Sequence, residues 1–306
     1  MQWNPPPRPK PTTPPRRSAG DRMRVAVTGA SGLIGTALCR SLEARGDTVV
    51  RLSRAYNATA LDGADAVVHL AGASISERWS DAHKRVILDS RVQGTTRIAQ
   101  AIAQLDRKPR VLVSSSAVGW YGDRGDEILD ETSGPGRGFL ADVCRAWEAS
   151  ADAARAAGIR VVHPRTGVVL SPLGGMLGKL LPMFRLGAGG RIGSGAQWTS
   201  WVALTDVVAA FEFMIATETL SGPVNLVGPT PVTNAGFTRA LGDVLHRPTI
   251  ATVPPFALRL AFGAEMTAEL FLAGQRAVPR ALERSGFGFR FPALESALRF
   301  ELGVAT

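Results

Sequence analysis

Short apolar runs alternate with longer amphipathic stretches from Met23 onward. MRVAVTG, TVVRLS, DAVVHLAG, RVLVSSSA and IRVVHPRTGVVL predict strands, because each is short and mostly apolar. Between them, residues 33–45, ILDSRVQGTTRIAQAIAQL and ADVCRAWEASADAARAAG have helical spacing of their apolar residues. Strands that are apolar on both faces and alternate with helices are typical of a covered parallel sheet. We therefore expect an α/β fold, a Rossmann-type doubly wound parallel sheet.

The pattern changes at about Leu170. GGMLGKLLPMFRLGAGGRIGSGAQW is rich in glycine, which predicts a mobile loop over a site. VALTDVVAAFEFMIA then predicts a helix and GPVNLVG a strand, before short helices interrupted by prolines. We expect a cofactor-binding domain of residues 23–170, to which residues 200–228 return. Residues 171–199 and 229–306 would form a smaller substrate lobe.

The formal charge of +9 on 306 residues changes this picture little. Residues 1–22 hold a net +4 of it, and the rest is spread without a basic stripe or a recognisable nucleic-acid module. The same 22 residues contain seven prolines and almost nothing apolar, so we expect a disordered or polyproline II tail. The alternative is that this tail binds a proline-reading partner.

Targeting signals and metal motifs are missing from the pattern. No run approaches the ~18 apolar residues of a membrane span, and the first residues lack the apolar segment of a secretory signal. Cys39 and Cys144 are too few for a disulfide framework or a cysteine-built metal site. We expect a cytoplasmic protein with a small-molecule substrate, no metal, no nucleic acid and no membrane partner.

The stretch TGASGLIG stands between the first strand and the first helix. Gly29 permits a tight turn, Gly32 lets the backbone approach a diphosphate, and Gly35 lets the helix pack close to the sheet. The helix N-terminus adds partial positive charge. This arrangement predicts a dinucleotide site.

The end of the second strand indicates which dinucleotide. NAD sites usually place Asp or Glu there, to bind the ribose 2′-hydroxyl. This chain has Ser53 and Arg54 instead, and a guanidinium suits a 2′-phosphate. We predict NADP(H) in preference to NAD(H). The alternative is that Arg54 is only a solvated charge.

TGASGLIG, DAVVHLAG and VLVSSSAVGWYGD together resemble motifs of extended short-chain dehydrogenases/reductases. SRVQGT, FLADVCRAWE, PRTGVVLSPLGGML and GSGAQWTSWV resemble the atypical NAD-dependent epimerase/dehydratase subfamily with cell-division-inhibitor-like and epimerase-39U-like members. GQRAVPRALERSGFGFRFPALESAL resembles its small C-terminal domain. The resemblance covers the chain after Met23. It implies that the cofactor is contacted by Gly29, Ser31, Gly32, Leu33, Ile34, Gly35, Ser53, Arg54, Leu70, Ala71, Gly72, Ser114, Pro164, Arg165 and Thr166.

The wider superfamily uses a Tyr-x-x-x-Lys dyad, in which the tyrosine is the general acid/base. Counting back from Glu148 places Cys144 at the lysine position and Leu140 at the tyrosine position. We therefore expect an atypical active site, with Ser116, Tyr121 and Arg91 as candidate catalytic residues.

Each candidate has an alternative. Tyr121 could face the nicotinamide or only hold a loop, and Arg91 could stabilise an oxyanion or contact the cofactor or a carboxylate. Cys144 is either a reactive thiol or a packing residue. We interpret His69 and His163 as structural.

A second departure from the family concerns the sheet edge. Only AYNATALDG separates the second strand from DAVVHLAG, where the family normally has a further strand and a short helix. The second strand would then border solvent or a partner.

These features support an NADP(H)-dependent oxidoreductase or sugar-nucleotide-epimerase-like enzyme of unknown substrate. The alternatives are a non-catalytic NADP(H)-binding regulatory protein and a scaffold that acts through the proline-rich tail. A homodimer is an open possibility, because relatives in the superfamily often pair two long helices of each subunit.

Overall fold

The computed structural model describes residues 22–53 and 55–304. Except for Arg22, the predicted tail lies outside the described residues, and so does Arg54, the predicted 2′-phosphate ligand.

Parallel strands and the helices that connect them make up most of the fold. The strands of the described residues are β1 (Arg24–Thr28), β2 (Thr48–Leu52), β3 (Ala66–His69), β4 (Val111–Ser114), β5 (Ser116–Ala117), β6 (Ile128–Leu129), β7 (Arg160–Thr166), β8 (Val168–Leu170), β9 (Gly190–Ile192), β10 (Trp198–Thr199), β11 (Trp201–Ala203), β12 (Gly222–Leu226), β13 (Val232–Thr233), β14 (Ala251–Val253) and β15 (Arg276–Ala277). The α-helices are α1 (Leu33–Ala44), α2 (Asp81–Ala103), α3 (Phe139–Ala149), α4 (Asp152–Ala156), α5 (Gly175–Arg185), α6 (Leu204–Ala216), α7 (Asn234–Leu245), α8 (Pro255–Phe262), α9 (Ala264–Met266), α10 (Arg280–Arg284) and α11 (Leu294–Leu302). Single turns of other helix types lie at Ala58–Leu61, Val118–Tyr121 and Thr267–Leu272.

The central sheet has the order β12–β7–β4–β3–β1–β2, and all its pairings are parallel. β5 continues from β4 and pairs with β7. Every residue of β3 and β4 is buried, which explains why both strands are apolar on both faces. From β1 the chain moves outward to β2 and then crosses to β3 on the other side of β1, as in a doubly wound sheet. The predicted fold class is confirmed.

Helices cover both faces of this sheet. On one face, α1 and α6 pack on the strands through buried residues such as Leu38, Leu42 and Phe211. On the other face, α2 contributes Ile98 and Ile102 to a second core cluster. These helices therefore bury the apolar stripes that the sequence predicted.

β2 is the edge strand, as expected. Within residues 22–53 and 55–304 no strand pairs with its outer side. The chain between β2 and β3 instead forms the short turn Ala58–Leu61, in which Leu61 is fully buried.

The glycine-rich stretch after Leu170 differs from the prediction. Part of it is α5, because Leu177, Leu181 and Phe184 recur at helical spacing and are all buried. The prediction of a loop was wrong for this part. Most glycines of the stretch lie before Leu177 or after Phe184 and so do not interrupt the helix.

A separate hydrophobic core lies beyond the end of β7. There β8 pairs with β11, and α5, α7 and α11 pack around Trp201, Phe237 and Leu298. Gly167 joins β7 to β8 at a point where an added Cβ would lie 2.1 Å from Ser200 O. Of the helices in the described ranges, none combines the length and hydropathy needed to cross a membrane.

Candidate functional site

The turn between β1 and α1 has the geometry of a backbone cradle. Gly29 has φ +66°, and a Cβ there would lie 2.8 Å from the carbonyl carbon of Leu70. A Cβ on Gly35 would lie 2.2 Å from Gly29 O. At Gly32, by contrast, only Gly29 O comes within 4 Å, at 3.3 Å. The first and third glycines are therefore required by packing, whereas the second borders open space.

The N-terminus of α1 faces that open space. Gly32 is its N-cap, and no side chain among the described residues caps the helix. The first N–H groups of a helix lack intrahelical acceptors, so those of Leu33 and Ile34 can meet an anion. Ser31 and Gly32 are exposed. These residues fit the diphosphate of a dinucleotide.

The HLAG stretch passes directly beside this turn. The N–H groups of Leu70 and Ala71 donate to Thr28 Oγ1 over 3.2 and 3.4 Å. Thr28 Oγ1 also lies 2.7 Å from His69 Nδ1. Burial lowers the pKa of His69 to about 4, so the ring is neutral at physiological pH. A neutral, hydrogen-bonded ring is consistent with the predicted structural role of His69.

Arg91 reaches from α2 to the other side of HLAG. Its Nη1 donates to the carbonyls of Ala73 and Ile87 at 3.1 Å, and its guanidinium lies over the Trp147 ring at 4.9 Å. A Cβ added to Gly72 would lie 3.3 Å from Arg91 Cζ. Burial lowers the pKa of Arg91. Among the described residues, no carboxylate lies within ion-pair distance of Arg91.

Ser116 belongs to a buried ionic network at the end of the sheet. Its Oγ donates to Glu148 Oε1 over 2.7 Å. The Arg165 guanidinium donates to both carboxylate oxygens of Glu148, from Nε at 2.9 Å and from Nη2 at 3.0 Å. Arg165 also stacks on the Trp120 ring at 3.9 Å. The network fixes the direction of the Ser116 hydroxyl.

Tyr121 lies on the far side of Arg165 and is fully buried. Its hydroxyl is 2.7 Å from Asn225 Oδ1 and 2.9 Å from Asp130 O, and it accepts from Arg165 Nη1 at 3.1 Å. Burial raises the pKa of Tyr121 to about 12. The hydroxyl therefore stays protonated, and its hydrogen-bonding capacity is used within the protein.

Leu140 and Cys144, which the count back from Glu148 placed at the dyad positions, lie on α3. Both approach Gly119, where an added Cβ would lie 3.4 Å from Leu140 Cβ and 3.7 Å from Cys144 Sγ. Burial raises the pKa of the Cys144 thiol to about 11. A thiol that stays protonated at neutral pH is a poor nucleophile, which favours the packing interpretation of Cys144.

The remaining predicted contacts lie at the same end of the sheet. Ser114 and Pro164 are buried, and Thr166 is half-buried with its Oγ1 3.4 Å from Pro164 O. Ser53 is exposed at the end of β2. Arg165 was predicted as a cofactor contact, and the structure places its guanidinium in the Glu148 network.

Sequence reasoning missed three members of the site. These are Glu148, Asn225 and Trp120. Asn225 did carry a signal, because it is the lone polar residue of the apolar strand β12. Its side chain bridges β12 to Leu129 O and Val278 O.

The C-terminal part of the chain closes over the N-termini of α2 and α3. The Glu269 carboxylate accepts from the N–H groups of Phe139 and Leu140 at 2.8 and 2.9 Å. Lys84 of α2 pairs with Glu265 at 2.7 Å. Across residues 22–53 and 55–304 no three His, Cys, Asp or Glu side chains are grouped as metal ligands.

Comparison with known proteins agrees with this geometry. The sequence model of the NAD dependent epimerase/dehydratase family matches residues 25–228, and that of a domain of unknown function, DUF1731, matches residues 253–301. The chain is 46% identical over 293 residues to an epimerase family protein of Mycobacterium bovis, Mb2239, covering 90% of this chain and 96% of the relative.

Two solved structures extend the comparison. The human epimerase family protein SDR39U1, crystallised with NADPH, is 32% identical with a TM-score of 0.86, over 92% of this chain and 99% of that one. A nucleoside-diphosphate sugar epimerase from Corynebacterium glutamicum is 40% identical with a TM-score of 0.77, over 93% of this chain and 59% of that one. The cradle at Gly32, the HLAG stretch beside it and the matching C-terminal domain lead to one conclusion: the chain belongs to the NAD dependent epimerase/dehydratase family and is similar to its SDR39U1 members.

Proposed function

We propose that this chain is an NADP(H)-dependent oxidoreductase or epimerase-type enzyme that acts on a small molecule in the cytoplasm. The observation that carries the proposal is the cradle of Gly29, Gly32 and Gly35. Only the middle glycine borders open space, and the uncapped N-terminus of α1 points its amides there. Such a cradle suits a diphosphate better than a purely structural turn, which needs no open side.

The preference for NADP(H) rests on two supports. Ser53 and Arg54 occupy the strand end where NAD sites usually have an acid. The human SDR39U1 structure, which is similar over nearly the whole chain, was determined with NADPH.

The chain's own residues suggest how a substrate would be handled beside the nicotinamide, which supplies hydride exchange when bound. The Ser116 hydroxyl donates a hydrogen bond to Glu148. Its oxygen lone pairs can therefore accept a hydrogen bond from a substrate hydroxyl. Arg91 would stabilise negative charge that develops on the substrate oxygen, because among the described residues its guanidinium meets carbonyl oxygens and the Trp147 ring but no carboxylate. We assign Ser116 and Arg91 as the catalytic residues of this proposal.

Tyr121 has a different role in the proposal. Its hydroxyl is held by Asn225 and Arg165 and is out of reach of solvent. We assign it as a positioning residue that fixes Arg165, and through Arg165 the Glu148–Ser116 pair. In Tyr121→Phe the free energy of unfolding should fall by about 1–2 kcal/mol, from the unsatisfied buried partners. Its KM should stay near the wild-type value while kcat falls. Lost turnover with unchanged stability would instead favour Tyr121 as the proton donor.

Titration with NADPH and NADH tests the cofactor assignment. Quenching of tryptophan fluorescence should give tighter binding for NADPH than for NADH. Arg54→Gln should weaken NADPH binding about tenfold or more and leave NADH binding unchanged, because only NADPH carries the 2′-phosphate. Arg40→Gln, an exposed arginine on α1, is the matched control and should leave both affinities unchanged. Absence of saturable binding of either coenzyme would refute the proposal.

A regulatory protein that binds NADP(H) without chemistry is the second candidate. The observation that favours it is α3, whose sequence contains neither tyrosine nor lysine and presents Leu140 and Cys144 to Gly119. Incubation of the enzyme with deuterated NADPH and a panel of sugar nucleotides and small ketones separates the two. Transfer of deuterium to any substrate, lost in Ser116→Ala, establishes the enzyme.

A further inference from the structure

Exposed apolar side chains and arginines lie on the surface of the C-terminal core, on α5, α7 and the loops that follow them. Leu186 follows α5 and is 81% exposed, and Ile250 precedes β14 and is 93% exposed. Met183, one turn before Leu186, is 52% exposed. Large apolar residues at such exposure usually mark an interaction surface when they are grouped. We call the surface formed by residues 179–191 and 239–251 the basic face.

These two segments are in direct contact. Arg247 Nε donates to Arg185 O at 2.8 Å, which ties the loop after α7 to the end of α5. β9 and β14 pair in parallel, with Gly190 opposite Ala251. A Cβ on Gly187 would lie 3.7 Å from the Pro248 ring. The segments that carry Leu186 and Ile250 are therefore neighbours on the protein.

A cavity in the basic face is lined by two arginines. Arg191 and Arg239 share it with Thr238, Thr249 and Ile250, and its volume is about 240 Å³. Arg191 Nε donates only to Thr252 Oγ1, at 3.4 Å. In the described part of the chain no carboxylate pairs with either guanidinium, and none lines the cavity. Two guanidinium groups without a carboxylate partner among the described residues, beside hydroxyls, suit a phosphate.

The basic face carries mainly positive charge. It contains a single acidic residue, Asp243. Its exposed basic residues are Lys179, Arg185, Arg191, Arg239 and Arg247.

We propose that the basic face binds the surface of an anionic phospholipid bilayer, with a lipid phosphate in the Arg191–Arg239 cavity. Leu186 and Ile250 would enter the boundary between headgroups and acyl chains. A nucleic acid would satisfy the arginines but would leave these aliphatic side chains in water. A second copy of the same face would repel it.

This proposal revises the expectation of no membrane partner. That expectation followed from the lack of an apolar run long enough to span a bilayer. Binding at a bilayer surface needs no such run, because a few apolar side chains and basic residues suffice.

Vesicle co-sedimentation of the full chain tests the proposal. The protein should sediment with vesicles of phosphatidylcholine and phosphatidylglycerol, and stay in solution with phosphatidylcholine alone. Arg191→Gln/Arg239→Gln should weaken binding about thirtyfold, since each basic residue near an anionic surface contributes about fivefold. Leu186→Asp/Ile250→Asp should reduce binding to background. Val86→Asp, an exposed apolar residue on α2, is the matched control and should bind like wild type.

A further variant separates vesicle binding by the basic face from vesicle binding by the N-terminal tail. Arg8→Gln/Arg16→Gln/Arg17→Gln removes charge from the tail and should leave binding unchanged. NADPH affinity and thermal unfolding should match wild type in every variant. The proposal is overturned by equal binding to neutral vesicles, by loss of binding in the tail variant, or by wild-type binding of Leu186→Asp/Ile250→Asp. Binding to immobilised polyglutamate that is as strong as binding to the anionic vesicles overturns it as well. Saturable binding of glycerol phosphate by a protein that does not bind vesicles also overturns it.

Discussion

The Arg165 guanidinium forms two parallel hydrogen bonds to the Glu148 carboxylate, at 2.9 and 3.0 Å, and both side chains are buried. Ser116 donates to the same carboxylate. Two opposite charges removed from water are stable only together, because either one alone would be an uncompensated buried charge. The position of the Ser116 hydroxyl therefore depends on an ion pair between α3 and β7.

The first prediction concerns this ion pair. Glu148→Ala should lower the free energy of unfolding by roughly 3–5 kcal/mol, because Arg165 is left buried without its partner. Urea unfolding measures the loss. Glu127→Ala removes the exposed pair with Arg124 and should cost less than about 1 kcal/mol. A Glu148→Ala protein as stable as Glu127→Ala would contradict the interpretation of the network.

The second prediction separates two glycines of the cradle. Gly35→Ala should destabilise the protein, because its Cβ would lie 2.2 Å from the backbone oxygen of Gly29. Gly32→Ala meets only one atom, at 3.3 Å, and its backbone is extended, so unfolding should change by less than about 1 kcal/mol. Its affinity for NADPH should still fall about tenfold or more, since the methyl group enters the space of the diphosphate. A Gly32→Ala protein with wild-type NADPH affinity would place the diphosphate elsewhere.

The third prediction concerns Glu269, which caps α3 from a distant part of the chain. Glu269→Ala should cost about 1–2 kcal/mol of unfolding free energy, because two backbone N–H groups at the helix N-terminus lose their acceptor. Glu269→Gln keeps one carbonyl oxygen and should lose less. The matched control is Glu265→Ala, which removes only the more exposed pair with Lys84. Equal stability of Glu269→Ala and Glu265→Ala would show that the cap contributes little.

The fourth prediction is a pH dependence of stability. Burial lowers the pKa of His69 to about 4, below its ordinary value of 6.5. On acidification the unfolded chain therefore binds a proton before the folded protein does. The contribution of His69 to stability is therefore nearly constant above pH 6.5 and is lost progressively as the pH falls towards 4.

At pH 5 this loss should be on the order of 2 kcal/mol for His69. Urea unfolding at pH 7 and pH 5 measures it in the wild type and in His69→Gln. The variant should lose about 2 kcal/mol less between the two pH values, whatever its stability at pH 7. An identical loss in both proteins would show that His69 does not titrate in this window.

Local sequence patterns predicted most of the helices and strands, and the part of the site that the glycine turn forms. β1, α1 and the glycine turn between them follow from a few adjacent residues, since apolar periodicity and glycine both act within one or two turns of chain. The same reasoning failed for α5, where flanking glycines masked three apolar residues at helical spacing. Arg54 lies outside the described residues, so the 2′-phosphate contact stays a prediction.

Apolar periodicity and glycine spacing were enough to predict the doubly wound sheet and the cradle at Gly32, and the short connection after β2 predicted the sheet edge there. The polar partners around Arg165 and at the start of α3 depend on contacts between distant parts of the chain. Tyr121 meets Asn225 across 104 residues, and Glu269 caps α3 across 130. The order of the strands in the sheet decides which strand ends and helix ends lie close together, and therefore which residues can pair. A buried polar group then takes whatever partner is within reach, because leaving it unpaired costs free energy.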